Sequence, residues 1–218
     1  MTESAASFVF ADIAGFTALT EAHGDEEALT VITEFSDAIA AELPPVQGEH
    51  VKTIGDAVML RIPDPADAIR FGIHIARGML GEHGMPSIRV GLHYGPAVER
   101  NGDYFGAAVN LAARVSAMAA GGEVLVSGQT AALAPQLDDV VYESRGRHEL
   151  RNVREPVELF AALPVGASGD RLPIDPVCRM AVDPERAPGR LLHGGTAYFF
   201  CSLTCAGQFA QEPERFSS

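Results

Sequence analysis

Two aspartates carry the first chemical signal. Asp12 closes the β-prone run SFVFADI at 7–13, and Asp56 follows Gly55 inside the apolar stretch VKTIGDAVML at 51–60. If that first strand lies beside the hairpin made by the second stretch, both carboxylates reach one sheet edge. Such a pair, with room for water and phosphate oxygens, is the usual protein share of a magnesium site. The backbone carbonyl of Ile13 can add an oxygen. Residue type alone favours a plainer account, because aspartate is common in turns and at helix N-caps, and Asp12 precedes Gly15-Phe16-Thr17.

Asn110 and Arg114 are four residues apart and so share a face of a helix that is otherwise small and apolar. An arginine there suits either a structural ion pair or a side chain reaching out to solvent. Three thiols, Cys178, Cys201 and Cys205, all lie beyond residue 177. Three sulfurs suit zinc or copper(I), and Cys201 and Cys205 have helical-turn spacing. Asp175 and His193 are the candidates for a fourth ligand. His74, His83 and His93 have no paired spacing that points to a metal, and His93 in VGLHYGP is expected to be structural.

These residues need elements to hold them. A strand over 7–13 is followed by apolar residues at helical spacing from Phe16 to Leu43, interrupted at His23-Gly24 and restarted at Asp25-Glu26-Glu27. Pro44-Pro45 stops that helix. Residues 49–62 read as a hairpin about Gly55-Asp56. Asp64–Leu80 reads as a helix with Ala68, Phe71, Ile75 and Met79 on one face. Ser87–Val98 reads as a strand ending at Gly95-Pro96, and Gly106–Ala120 as a helix closed by Gly121-Gly122. Four short strands follow, at 123–127, 140–142, 146–150 and 156–162. The order β-α-β-β-α-β, with a further helix and strands, is the ferredoxin-like α+β pattern, with a central, mostly antiparallel sheet and flanking helices. The Gly-, Pro- and Ser-rich stretch LPVGASGDRLP at 163–173 reads as a linker.

Composition narrows the function. The 218 residues carry 16 basic and 29 acidic side chains, a formal charge of −13, with no clustered basic patch. Nucleic acid is therefore not an expected partner. No apolar run reaches the roughly 18–20 residues of a membrane span, and MTESAASFVFADIAG lacks the features of a signal peptide. A cytoplasmic location is expected, and an odd number of cysteines argues against a disulfide framework.

FADIAGFT at 10–17, KTIGDAVM at 52–59 and GDYFGAAVNLAAR at 102–114 stand in one order. Together they resemble the catalytic domain of the class III nucleotidyl cyclases, over about Ala6 to Leu163. The resemblance implies that Asp12 and Asp56, with the Ile13 carbonyl, hold two magnesium or manganese ions per site. It implies that Asn110 orients the ribose, that Arg114 stabilises the transition state, and that Lys52 and Asp103 read adenine. It further implies ATP as substrate, cyclic AMP as product, and a homodimer with shared sites: Asp56 serves one site while Lys52 of the same chain serves the other. Where many relatives have a phosphate-binding lysine, ELRNVREPVELF at 149–160 offers Arg151 or Arg154. A guanylate cyclase, or a non-catalytic nucleotide- or metal-sensing module, is the alternative.

The tail, with DPVCRM at 175–180 and YFFCSLTC at 198–205, resembles a YHS domain over about Pro173 to Phe216, a small treble-clef-like, metal-associated module. The expected division is 1–163 cyclase domain, 164–172 linker and 173–218 YHS domain.

Overall fold

A computed structural model of the chain describes residues 3–78, 87–167, 172–178, 180 and 182–216. Its organising element is β1 (Glu3–Ile13), which pairs antiparallel with β3 (Ala57–Ile62) on one side and β4 (Ile88–Arg100) on the other. Val9, Ala11 and Ile13 enter one apolar layer, while Phe8 and Phe10 enter another on the opposite face. Burial on both faces explains why this strand reads as an unbroken apolar run without alternation.

Gly15 (φ 81°) turns the chain from β1 into α1 (Phe16–His23), and Gly24 (φ 87°) separates α1 from α2 (Asp25–Glu42). β2 (Glu49–Ile54) and β3 form the expected hairpin, with Gly55 at φ 62° in its turn. α3 (Pro65–Ile73) is capped by the Asp64 carboxylate, which accepts from the amides of Ala66 and Asp67. The sequence pattern predicts one helix to Leu80, but the α-helix ends at Ile73 and widens into a π-turn over His74–Gly78 that still buries Ile75. Met79, Leu80 and His83 lie outside the described residues.

β4 continues through Gly95-Pro96 instead of ending there. Its edge away from β1 is open at Pro96, between the pairing at 90–92 and the start of a short hairpin at Val98, so a proline is tolerated there. That hairpin adds β5 (Asp103–Phe105) across Asn101-Gly102, both at positive φ. α4 (Ala107–Met118) then crosses the sheet. It comes so close that a Cβ on Gly91 would collide with the backbone at Ser116.

β6 (Val124–Ser127), α5 (Gly128–Leu133), β7 (Val140–His148) and β8 (Val157–Pro164) complete the domain. The two strands expected at 140–142 and 146–150 are one, since a register shift between Ser144 and Gly146 absorbs the irregularity. The sheet order is β2-β3-β1-β4-β6-β8-β7, with β5 attached to β4, and β4–β6 is its parallel pair. α2, α3 and α5 cover one face, and α4 covers the other. This is the mixed sheet with flanking helices that the sequence predicts.

The C-terminal unit is a hairpin of β9 (Gly189–His193) and β10 (Thr196–Phe200), followed by α6 (Leu203–Gln211) and α7 (Pro213–Phe216). Its buried Phe200 and Phe209 share an apolar cluster with Leu19 of α1 and Ala28 of α2. Residues 168–171 of the expected linker lie outside the described residues. Among the described residues, no helix is long and apolar enough to cross a membrane.

His93 lies in β4, only 6% exposed, with Nδ1 2.7 Å from Ser127 Oγ. Burial pushes its pKa from 6.5 down to about 4. Between those values the unfolded chain takes up a proton that the folded chain refuses. The stabilisation is therefore complete above the unfolded value and is lost as pH falls. Lowering the pH from 7.5 to 5 should remove about 2 kcal/mol of stability through this residue. Urea unfolding at the two pH values checks it, and His93→Gln should flatten the difference.

Candidate active site and cysteine cluster

Asp12 stands at the end of β1 on the face of Phe8 and Phe10, opposite Ala57 of β3. The turn carrying Asp56 is latched to it, because the Ile13 amide donates to the Asp56 carbonyl at 3.3 Å. The Ile13 side chain is buried in the opposite apolar layer, so only its backbone is available to the site. Sequence reasoning missed Arg89, which pairs in register with Asp12 across β1 and β4. Its Nη2 lies 2.6 Å from Asp12 Oδ2. The available signal was a charge set between the buried Ile88 and Val90 of a strand.

Asp12 Oδ1 is buried and has no hydrogen-bond partner among the described residues. Burial pushes the Asp12 carboxyl above its ordinary pKa; the Arg89 hydrogen bond opposes this, and the nearby Asp56 charge reinforces it. An unsatisfied buried carboxylate oxygen is costly, and a bound cation would relieve it. The donor set, two carboxylates beside a strand-end backbone, fits a hard divalent ion.

Lys52 of β2 and Asp103 of β5 meet although 51 residues separate them. Lys52 Nζ lies 2.8 and 2.6 Å from the two Asp103 oxygens, and Asp103 Oδ1 also accepts from the Tyr104 amide. Both side chains remain partly open, at 37% and 28% exposure. The Phe105 ring centroid is 5.7 Å from Lys52 Nζ.

On α4, Ala108, Val109 and Ala112 face the sheet, while Asn110 is exposed and Arg114 partly exposed. Asn110 and Arg114 line a cleft of about 440 Å³ with Ala107, Leu111, Asn152, Val153 and Arg154. The fold thus brings Arg154 to this cleft, whereas Arg151 is not among its lining residues. Neither Asp12 nor Asp56 lines it.

In the tail, Cys178 and Cys201 have their sulfurs 3.3 Å apart, and Cys201 and Cys205 3.7 Å apart. The two later cysteines do not share a helix face as their spacing suggests: Cys201 ends the strand side and precedes the N-cap Ser202, while Cys205 lies in α6. They converge nonetheless. Asp175 is fully buried beside them, within a group whose ligand atoms lie within 4.8 Å of one another. Side-chain hydrogen bonds from Cys178 and then Cys201 hold the Cys205 thiol far below its ordinary pKa. The same shared hydrogen bonds push the Cys201 thiol, and with it Cys178, above the ordinary range, so the metal-free cluster holds one thiolate and two thiols. Three converging sulfurs of this kind fit a soft or borderline metal, which would displace the remaining protons. His193 is elsewhere, with Nε2 3.5 Å from Glu214 and its ring edge-on to Phe209.

The family model for the adenylate and guanylate cyclase catalytic domain matches residues 2–162. The chain belongs to that family. A second model, the YHS domain, matches residues 174–218. The chain is 38% identical over 156 residues to a pH-sensitive adenylate cyclase of Mycobacterium tuberculosis, covering 69% of this chain and 38% of that protein. It is 36% identical over 119 residues to an adenylate cyclase of Streptomyces griseus, covering 55% of this chain and 30% of that protein. The chain thus spans well under half the length of these curated relatives. The cyclase fold is matched by the adenylate/guanylate cyclase/hydrolase structure from Silicibacter pomeroyi, with TM-score 0.66, 25% identity, and coverage of 75% of this chain and 98% of that one.

The Lys52 hydrogen bond holds the Asp103 carboxyl below its ordinary pKa. Carbon-detected NMR titration should place Asp103 below the usual 3.8 in the native protein and move it upward in Lys52→Ala. An unmoved titration in the variant would mean the pair does not persist in solution.

Proposed function

We propose that this cyclase domain is an adenylate cyclase that converts ATP to 3',5'-cyclic AMP and pyrophosphate at two equivalent sites shared by two copies of the chain. The observation that carries this reading is the buried, unpartnered Asp12 Oδ1 beside Asp56, which fits a divalent ion. The adenylate cyclase names of the two relatives support ATP as the nucleotide. The division of the chain that goes with this reading is 1–163 for the cyclase domain, 164–172 for the linker and 173–218 for the YHS domain.

The ribose 3'-oxygen attacks the α-phosphorus of the same nucleotide, an O–P bond forms, the bond to the β-phosphate bridge breaks, and the hydroxyl proton is released. Magnesium or manganese ions held by Asp12, Asp56 and the Ile13 carbonyl would supply charge neutralisation and a more acidic hydroxyl. Asn110 orients the ribose by hydrogen bonding. Arg114, a permanent cation, is placed to stabilise charge that grows on the phosphoryl oxygens during the displacement. Arg154, in the same cleft, contributes positive charge toward the triphosphate in place of a lysine.

The Lys52–Asp103 pair reads the base without having to break. An ammonium has three N–H donors; two are engaged by Asp103, which leaves one for an adenine ring nitrogen. A free lone pair of Asp103 accepts from the adenine amino group. Guanine, with a carbonyl and a ring N–H, meets mismatched partners.

The separation of Asp12 and Asp56 from the Asn110–Arg114 cleft supports a shared site, because two copies related by a two-fold axis can each supply what the other's half lacks. The purified protein with ATP, GTP and either magnesium or manganese should form cyclic AMP in preference to cyclic GMP. Asp56→Ala should abolish the activity, and Arg114→Ala should lower kcat by about 100-fold to 1,000-fold. Preferential cyclic GMP formation would favour a guanylate cyclase, and no product with either nucleotide would favour a binding module.

A further inference from the structure

His23 is the last residue of α1 in the cyclase domain, yet its Nε2 lies 3.6 Å from Cys205 Sγ in the tail. We propose that His23 is the fourth ligand of a tetrahedral zinc site formed with Cys178, Cys201 and Cys205, so that one metal ion joins the YHS domain to the cyclase domain. The inference is independent of which nucleotide the cyclase uses.

Three of the six ligand-to-ligand edges can be compared with that ion. Tetrahedral bonds of about 2.3 Å to sulfur and about 2.0–2.1 Å to nitrogen set S···S edges of about 3.8 Å and N···S edges of about 3.6 Å. The Cys201–Cys205 separation is 3.7 Å, the His23–Cys205 separation is 3.6 Å, and the Cys178–Cys201 separation is somewhat tighter at 3.3 Å.

Asp175 is the rival fourth ligand, since its ligand atom and the three sulfurs all lie within 4.8 Å of one another, but three backbone amides already hold its oxygens. Oδ1 accepts from the amides of Val177 and Cys178, at 2.8 and 3.4 Å, and Oδ2 accepts from the amide of Cys201 at 2.8 Å. It therefore ties together the two loops that carry Cys178 and Cys201, the supporting role that outer-shell groups play around a metal. Charge leads to the same choice. Three thiolates on a zinc ion leave one net negative charge, which a fully buried carboxylate ligand would double, whereas a neutral imidazole leaves it unchanged.

The helix that carries the histidine is held in place by packing. Leu19 and Ala28 share a buried cluster with Cys178, Met180, Phe200, Cys205 and Phe209, and Phe16 and Ala22 pack against it. A unit as short as this tail has little core of its own, so a metal bridging it to α1 fixes both its fold and its seat. The same helix begins at Phe16, directly after the Gly15 turn that leads out of the Asp12 strand. Its eight residues span about 12 Å. Binding at His23 thus anchors the far end of the helix whose near end adjoins the proposed nucleotide-metal site.

Zinc- and cobalt-binding titrations of the full-length, reduced, chelator-treated chain test this. The expected result is one ion per chain, a cobalt spectrum with intense tetrahedral visible bands and sulfur charge transfer, and a zinc affinity lowered about 10-fold to 100-fold or more in His23→Ala. As a check that does not depend on a variant's folding, cadmium NMR of the native protein should show coupling to the ring of a single histidine. Absence of any stoichiometric ion would overturn the proposal, leaving His23 as a hydrogen-bond partner of Cys205. So would His23→Ala with unchanged affinity and spectrum, or cadmium without a coupled histidine.

Discussion

A half-buried carboxylate with one buried, unmatched oxygen at the end of β1 is the constraint on which the rest of this cyclase domain depends. β1 is buried on both faces, so Asp12 emerges where the apolar layer of Phe8 and Phe10 gives out. Arg89 satisfies one oxygen, and no described residue satisfies the other. Leaving such a group unpaired in a protein interior costs on the order of 1–3 kcal/mol or more. A fold that retains it leaves a place suited to the cation proposed above. The hairpin turn with Asp56 is held beside it by a backbone bond from Ile13. Thus the position of the second carboxylate follows from sheet pairing and not from side-chain flexibility.

Other parts of the same sheet face are organised by different means. β5 carries Asp103 over to Lys52 of β2, and the short Asn101-Gly102 turn allows this because both residues accept positive φ. α4 lies against the sheet closely enough that Gly91 cannot carry a side chain, which fixes which of its faces turns outward with Asn110 and Arg114. The resulting cleft contains arginine and asparagine but no metal-binding carboxylate. This separation within one chain is the physical ground for the proposal that two copies share each site.

Much of this was legible in the sequence. Gly55-Asp56 between β-branched flanks specified its hairpin, and the alanine-rich run with Asn110 and Arg114 specified α4, because local pattern and tertiary environment agree at both. What escaped was what depends on contacts remote in sequence. Arg89 pairs with Asp12 across 77 residues, and His23 meets Cys205 across 182, separations that no spacing rule reaches. The extent of β7 was hidden for another reason: its register shift falls between Ser144 and Gly146, where a tolerated bulge looks like a break between two strands. The end of α3 was likewise hidden, since a π-turn preserves the apolar face that a helix would show.

The central claim is that Asp56 of one copy and Arg114 of another serve the same site. It is tested most directly by mixing Asp56→Ala and Arg114→Ala proteins after co-refolding or co-expression and measuring cyclic AMP formation. In a mixed dimer one site collects both substitutions and the other collects neither. Each variant alone should be nearly silent, and the mixture should recover about a quarter of native activity under random pairing. A mixture that forms mixed dimers yet remains as silent as its parents would contradict the account.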